Sequence, residues 1–135
     1  MQIEYKCNVC RHIQTLDEYN VEKCDAYDEE GNKFRIVYFH CEKCGEAIVL
    51  QIDNSETLSL FDEERKLYVN NMRYKLAYKT PPQKQKRKME KLNKKLKHKR
   101  ETLFLEKLGE TFYDKKGTTR TKIATVYKTE ETNNV

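Results

Sequence analysis

Apolar and polar positions follow two different periods along the chain. Up to residue 53, short apolar segments such as KFRIVYFH and EAIVLQI are separated by polar turns, and EEGN fits a hairpin turn with Gly31 in the left-handed position. This part predicts a β-rich head made of short strands. From Asn54 onward, apolar residues recur at intervals of three and four or their sum, which is the period of an α-helix.

The helical period predicts two long helices. The first extends from about Ser55 to Tyr78 and ends before TPPQ, because a residue that precedes proline is disfavoured in the α conformation. The second extends from about Pro81 to Leu108, with Gly109 as its C-terminal stop. Two long helices with so short a connection favour an antiparallel helical hairpin, and a single kinked rod is the alternative.

The segment after the helices returns to strand-like sequence. A turn at DKKG and β-branched residues around Ile123 to Tyr127 predict a closing hairpin, or one strand that joins the sheet of the head. The last residues, 129–135, are predicted to form a disordered tail.

The composition limits both the core and the cellular address. Hydrophobic residues make up 37% of the chain and charged residues 36%, so a large core is excluded. No apolar run approaches the ~20 residues that cross a bilayer, and the N-terminal residues do not form a secretory signal. We therefore expect a cytoplasmic protein (the host cytoplasm, if a phage encodes it) without membrane contact, where paired CxxC motifs more often hold a metal than form disulfides.

Two CxxC motifs carry the candidate chemistry. Cys7 and Cys10 form the first pair, and Cys41 and Cys44 form the second. Zinc prefers four ligands in a tetrahedron, and four cysteine thiolates close such a site without an open position for water. The spacing therefore predicts a structural Zn²⁺ ion bound by all four cysteines.

Other interpretations of the cysteines stay open. Iron also fits a tetrahedral thiolate site, the cysteines are alternatively small core residues, and a redox pair is a further alternative that lacks a thioredoxin-like context. Cys24 has no CxxC partner and is expected to be half-buried. His12 and His40 lie near the two motifs as candidate ligands or outer partners.

The double CxxC motif, within residues 2–53, resembles the knuckles of zinc-ribbon and rubredoxin-like proteins. This resemblance implies a metal-stabilised head but no particular activity, since the same ribbon occurs in transcription factors, recombination proteins, ribosomal proteins and phage accessory proteins. The overall plan of a small, lysine-rich chain with a zinc head and a helical tail also resembles small zinc proteins encoded by phages, including inhibitors of type II CRISPR nucleases.

The predicted fold class is α+β, with an N-terminal β-rich zinc ribbon, a long antiparallel helical hairpin and a short C-terminal strand or hairpin. The predicted domains are a zinc-ribbon head at 1–53, a basic helical hairpin at 54–109 and a short strand or hairpin at 110–128, followed by the tail at 129–135.

The net charge of +5 conceals two halves of opposite sign. Residues 1–79 have a net charge of −4, and residues 80–135 have a net charge of +9. Within the second helix, KQKRKMEKLNKKLKHKR contains ten bases and one acid. The candidate binding residues are these ten bases: Lys84, Lys86, Arg87, Lys88, Lys91, Lys94, Lys95, Lys97, Lys99 and Arg100.

The sequence contains no phosphate loop and no nucleophile motif, so we do not expect an enzyme. The charged surfaces indicate a binding function instead. The leading hypothesis is a phage-type accessory protein that binds and inhibits or modulates a nucleic-acid enzyme, for example a CRISPR nuclease such as Cas9 by blocking its access to DNA. The alternatives are a zinc-ribbon regulator that contacts DNA or RNA phosphates through the basic helix, and a structural hairpin that self-associates.

Overall fold

The computed structural model describes residues 3–127, so the tail predicted at 129–135 lies outside the described residues. The elements in chain order are β1 (Ile3–Lys6), β2 (Ile13–Leu16), β3 (Glu22–Tyr27), β4 (Lys33–His40), β5 (Ala47–Asp53), α1 (Ser55–Leu76), α2 (Gln83–Glu106), β6 (Thr111–Tyr113) and β7 (Lys122–Thr125). N-terminal strands, a helical hairpin and C-terminal strands confirm the predicted α+β class.

Five of the strands form a closed barrel in the order β3-β4-β5-β7-β6. The β3–β4 and β6–β7 pairs are antiparallel, and β6 closes the barrel by pairing Tyr113 with Tyr27 of β3. The β5–β7 pair is parallel, with Ile48 beside Thr125. The remaining strands, β1 and β2, form a separate antiparallel pair. The C-terminal strands therefore complete a barrel that the N-terminal strands begin.

The chain forms two compact units. One unit comprises the described residues of Met1–Ile52 and Leu103–Val135, and the other comprises Asp53–Thr102. The first contains the two sheets, apart from the last residue of β5, together with the end of α2. The second contains α1 and the rest of α2. In this arrangement the barrel strands come from two stretches of sequence, with the helical hairpin between them.

The barrel core follows from the alternation of buried and exposed residues along its strands. On β4, Phe34 and Ile36 are buried while Lys33 and Arg35 are exposed. The ring of Phe34 meets that of Phe112 from β6 edge to face, with 5.6 Å between centroids, a favourable aromatic geometry. A second, smaller cluster beneath the CxxC motifs consists of Cys7, Leu16, Phe39, Cys41 and Ile48.

A buried ion pair connects the β3–β4 turn to Lys107, the residue that follows α2. The carboxylate of Asp28 accepts hydrogen bonds from the backbone N–H groups of Glu30 and Asn32 at 3.0 and 2.8 Å. Its other oxygen accepts from Nζ of Lys107 at 2.9 Å, and that ammonium lies 5.0 Å from the centroid of the Phe34 ring.

Burial alone would raise the pKa of Asp28, but the hydrogen bonds from Lys107 and Asn32 outweigh it, and the pKa is lowered. A lowered carboxyl pKa means that the folded state favours the charged form. The stabilisation from Asp28 is therefore complete above the unfolded pKa of about 3.9 and is lost as the pH falls through the lowered folded value.

The helical hairpin begins with a well-formed cap. Asn54 is the N-cap of α1: its side chain accepts from the N–H of Thr57, while the Thr57 hydroxyl accepts from the N–H of Asn54. This reciprocal arrangement satisfies two backbone donors that the first turn of a helix leaves free. α2 begins at Gln83, two residues after the start predicted at Pro81.

Two contacts between α1 and α2 show the relative direction of the helices. Glu56, near the start of α1, pairs with Lys99 at 3.0 Å, and Asn71, near its end, contacts the sulfur of Met89 at 3.2 Å. The antiparallel hairpin is therefore confirmed, and the single kinked rod is excluded. Neither helix of the described residues is long and apolar enough to cross a membrane.

Candidate metal centre and basic face

The four predicted metal ligands lie together in the structure. The sulfurs of Cys7, Cys10, Cys41 and Cys44 all lie within 4.8 Å of one another. The Cys7–Cys44 sulfur distance is 3.7 Å and the Cys10–Cys41 distance is 3.6 Å. Both are far longer than the ~2.05 Å of a disulfide. A tetrahedral site with metal–sulfur bonds of about 2.3 Å requires sulfurs about 3.8 Å apart, so the cluster could hold a metal ion such as zinc.

Each CxxC pair lies on a tight backbone knuckle between two strands. The Cys7 knuckle connects β1 to β2, and the Cys41 knuckle connects β4 to β5. In the first, the N–H of Arg11 donates to the carbonyl of Cys7 at 3.0 Å; in the second, the N–H of Gly45 donates to that of Cys41 at 2.9 Å. The two knuckles therefore repeat one local structure, which explains why the same spacing of cysteines produces matched ligand pairs.

The thiol pKa values show how the backbone and the neighbouring sulfurs act on the cluster. Burial raises the pKa of Cys41, but the N–H groups of Cys44 and Lys43 and the neighbouring thiols donate to its sulfur, and the pKa falls to about 6. The N–H of Glu46 lowers the pKa of Cys44, but desolvation and the adjacent sulfurs outweigh it and raise that pKa to about 12. Four mutually close thiolates require a compensating cation, which fits the chemistry of a metal site.

Side chains around the knuckles connect the two CxxC motifs directly. Nε2 of His12, just after the first pair, lies 2.6 Å from Oε1 of Glu42, which stands between the cysteines of the second pair. The N–H of Glu42 also donates to Oε1 of Gln14 at 3.0 Å. Neither His12 nor His40 belongs to the four-residue cluster, so both lie outside the candidate ligand set. The sequence identified His12 as a candidate ligand or outer partner, whereas nothing in the sequence identified Gln14.

The fifth cysteine is separate from the metal cluster. Cys24 lies on β3, half-buried, and packs against the barrel core beside Tyr38. Burial raises the pKa of its thiol, and the nearby charges of Asp25 and Glu22 raise it further. A thiol held in its protonated form is a poor nucleophile, so this position behaves as a small hydrophobic residue.

The ten predicted binding residues divide into two groups. Lys99 and Arg100 make contacts within the hairpin: Lys99 pairs with Glu56, and Arg100 contacts the buried Asp53 through Nε at 2.7 Å. The guanidinium of Arg100 also lies 5.2 Å from the centroid of the Phe61 ring. The other eight bases are exposed, and none forms an ion pair with another residue of the range 3–127.

Six of the eight exposed bases share one side of α2. At 3.6 residues per turn, they fall within a sector about 120° wide on the side opposite the buried Leu96. We call this sector the basic face, which consists of Lys84, Arg87, Lys88, Lys91, Lys94 and Lys95. At 1.5 Å per residue it is about 17 Å long, the length of about five base pairs of duplex.

A second group of bases and aromatic rings, which the sequence interpretation did not identify, surrounds the β6–β7 loop. The guanidinium of Arg120 lies 3.9 Å from the centroid of the Tyr113 ring and donates to the carbonyl of Glu29 at 3.1 Å. Nζ of Lys116 lies 5.8 Å from the ring of Tyr27. These contacts join the β6–β7 loop to the β3–β4 turn, which is far away in the sequence.

Comparisons of the chain with protein-family models, with curated proteins and with solved structures find no match.

The backbone of the second knuckle leads to a prediction about Gly45. Its φ is +76°, and a Cβ atom added there would meet nothing within 4 Å, so the cost of a side chain is backbone strain alone. We expect Gly45→Ala to retain one metal ion per chain but to lower the free energy of unfolding by about 1–2 kcal/mol. Denaturant titration of the metal-loaded protein measures this change.

Lys43→Ala, at an exposed position of the same knuckle, is the matched control for Gly45→Ala. We expect it to change the free energy of unfolding by about 0.5 kcal/mol or less. An equal effect of the two substitutions would show that the left-handed conformation of Gly45 is not what matters.

Proposed function

We propose that this protein is a non-enzymatic nucleic-acid-binding protein in which a structural zinc ion stabilises the fold. The observation that carries the proposal is the basic face of α2, with six exposed bases and no ion pair to any other described residue. The zinc assignment rests on four cysteines whose sulfurs match a tetrahedral thiolate site. A site closed by four cysteines has no position for water, so its zinc would be structural.

The contrast between the two groups of bases on α2 supports a role for the basic face in binding. On the inner side of the hairpin, Lys99 and Arg100 each have an acidic partner. On the outer side, like charges at i and i+4 repel one another and destabilise the helix. Phosphates would relieve this repulsion and release counterions on contact.

The residue types on the basic face indicate what kind of recognition to expect. Five of its six bases are lysines, and the sixth is Arg87. Lysine acts as a flexible point charge, whereas arginine makes the bidentate contacts that read guanine edges. We therefore infer binding to the phosphate backbone with little preference for sequence.

The connectivity of the barrel offers an analogy to a known class of fold. If the five barrel strands are numbered one to five in chain order, their order around the barrel is one, two, three, five, four. The third and fifth of these strands, β5 and β7, are parallel. The helices lie between the third and fourth barrel strands. This is the connectivity of OB-folds, which bind oligonucleotides in many proteins. The likeness concerns connectivity alone and adds an analogy between folds.

The decisive experiment measures binding of the zinc-loaded full chain to labelled duplex DNA, single-stranded DNA and RNA over a series of salt concentrations. If each base of the basic face neutralises one phosphate, log K for duplex DNA should fall with log salt with a slope of about −5. In a variant with Lys84, Lys88, Lys91 and Lys95 changed to Gln, the slope should fall to about −2. Glutamine keeps the helix propensity close to that of lysine.

A control variant separates the basic face from total charge. It changes four exposed lysines outside α2 to glutamine: Lys23, Lys66, Lys79 and Lys115. We expect this variant to retain the slope of the unmodified protein. Equal losses in the two variants would assign binding to net charge, and no binding at low salt would overturn the proposal. The prediction of a protein target, such as a CRISPR nuclease, would then be tested by a nuclease-resistant pull-down.

A further inference from the structure

A groove of about 510 Å³ lies between the second half of α1 and the start of α2, beside the connection that joins them. We call it the tip groove. Its apolar lining consists of the side chains of Tyr68, Met72, Pro81 and Met89. The volume falls within the range of about 300–1,000 Å³ that is usual for ligand sites.

Contacts between the two helices position the apolar lining of the tip groove. The side-chain amide of Asn71, on α1, donates to the sulfur of Met89 on α2 at 3.2 Å. Pro81 is buried and Met89 is half-buried, whereas Tyr68 is 56% exposed and Met72 is 38% exposed. The Tyr68 side chain therefore keeps surface on which a second flat group can stack.

Two lysines, one from each helix, give the tip groove a positive charge. Lys75 lies in the last turn of α1 and Lys86 lies near the start of α2, and both are exposed. Neither forms an ion pair with another residue of the range 3–127. No acidic side chain of these described residues lines the groove. The groove is therefore complementary to an anion that also carries a flat apolar group.

We propose that the tip groove binds an unpaired nucleotide of a single-stranded nucleic acid. The base stacks on the Tyr68 ring, and the phosphates on its two sides lie at Lys75 and Lys86. Proteins that hold single strands without preference for sequence combine a positive groove with an aromatic ring in this way. Met72 and Met89 fit a site that accepts different bases, because methionine side chains are flexible and polarisable.

The tip groove and the basic face are separate surfaces with different ligands. None of the six bases of the basic face is among the described residues that line the groove. Lys86 lies about 80° around α2 from Lys94, the nearest member of that face. A duplex keeps its bases stacked and paired, so its phosphates reach the basic face but its bases do not reach Tyr68. The inference therefore rests on the proposed function and adds a preference for single strands.

The first test observes the groove directly, in the metal-loaded full chain labelled with ¹³C at its methionine methyl groups. A thymidine oligomer of about 12 nucleotides should shift the methyl signals of Met72 and Met89, because the ring current of a stacked base acts only on nearby nuclei. A duplex of the same length should leave these signals nearly unchanged. An oligoglutamate peptide, which has the charge but no bases, should also leave them nearly unchanged.

Substitutions test the two parts of the groove separately. Tyr68→Ala should weaken binding of the thymidine oligomer about tenfold and leave duplex binding unchanged. Tyr68→Phe keeps the ring and should retain the affinity for the oligomer. Lys75→Gln together with Lys86→Gln should reduce the salt slope for the oligomer by about 1.4 without changing the slope for the duplex.

Tyr19→Ala is the matched control, because Tyr19 is 88% exposed and lies outside the helical hairpin. It should bind the oligomer like the unmodified chain, and far-ultraviolet circular dichroism checks that the helices of each variant are intact. An equal loss in Tyr19→Ala, an equal loss of duplex binding in Tyr68→Ala, or larger methyl shifts with oligoglutamate would overturn the inference. Duplex binding through the basic face without methyl shifts would overturn this inference alone, whereas methyl shifts without duplex binding would support it and overturn the role of the basic face.

Discussion

Loss of one metal ligand is expected to unfold the unit that contains the two sheets. Structural zinc contributes about 10 kcal/mol or more in small zinc domains, which is comparable to the whole stability of an ordinary domain. Cys41→Ser should therefore abolish stoichiometric zinc and remove the dispersed signals of buried residues such as Phe39, which packs beside the cluster. Metal analysis by mass spectrometry and two-dimensional NMR measure the two effects.

Cys24→Ser is the matched control for the metal prediction, because it makes the same chemical change at the cysteine that lies outside the cluster. It should retain one zinc per chain and lower the free energy of unfolding by about 1 kcal/mol. Cobalt substitution identifies the ligands, since Co²⁺ held by four thiolates absorbs strongly in the near ultraviolet. A Cys41→Ser protein that folds normally without metal would contradict the prediction, and iron in the purified protein would correct the identity of the metal.

Breaking the ion pair between Asp28 and Lys107 is expected to cost about 3–5 kcal/mol. Lys107→Met keeps much of the volume of the side chain but leaves the Asp28 carboxylate buried without its ammonium partner. The cost follows from desolvation, because the carboxylate side chain is fully buried and has no water to replace the lost donor. Denaturant unfolding of the zinc-loaded protein at neutral pH measures the change.

A double-mutant cycle separates the pair from other effects of the substitutions. In Asp28→Asn with Lys107→Met, the buried charge is absent, so the double variant should be less destabilised than the sum of the two single variants by about 2 kcal/mol. Lys115→Met, at an exposed position in the β6–β7 loop, is the control and should be nearly neutral. Additive effects in the cycle would show that the two residues do not act as a pair.

Local sequence patterns predicted the features that depend on neighbouring residues. The four-cysteine cluster followed from two CxxC motifs, because a knuckle is a short-range structure that fixes two sulfurs by itself. The helices followed from their period, with α1 beginning at the predicted Ser55 and α2 ending at Glu106, two residues before the predicted Leu108. Caps and prolines determine such ends over only a few residues.

Features that depend on distant residues left no local signal. The closing hairpin was predicted as a local element, but its closure of a barrel through Tyr27 and Tyr113 joins residues that are far apart in the sequence. Asp28 and Lys107 are 79 residues apart. The apolar positions of α1 predicted its helical period, but periodicity cannot show whether a row of side chains faces the hairpin or the solvent.

The barrel has a consequence for folding during synthesis, because its first three strands and its last two are separated by the whole helical hairpin. Both cysteine knuckles lie within residues 7–45, so they can form while the ribosome is still adding α1. At about 5–20 residues per second, β6 and β7 follow the end of β5 several seconds later. Until then, β3 and β5 are open edges that pair readily with other strands. A metal ion bound by the four cysteines at this stage would hold β4 and β5 in register during the interval, so metal supplied during translation should raise the yield of folded protein more than metal added afterwards.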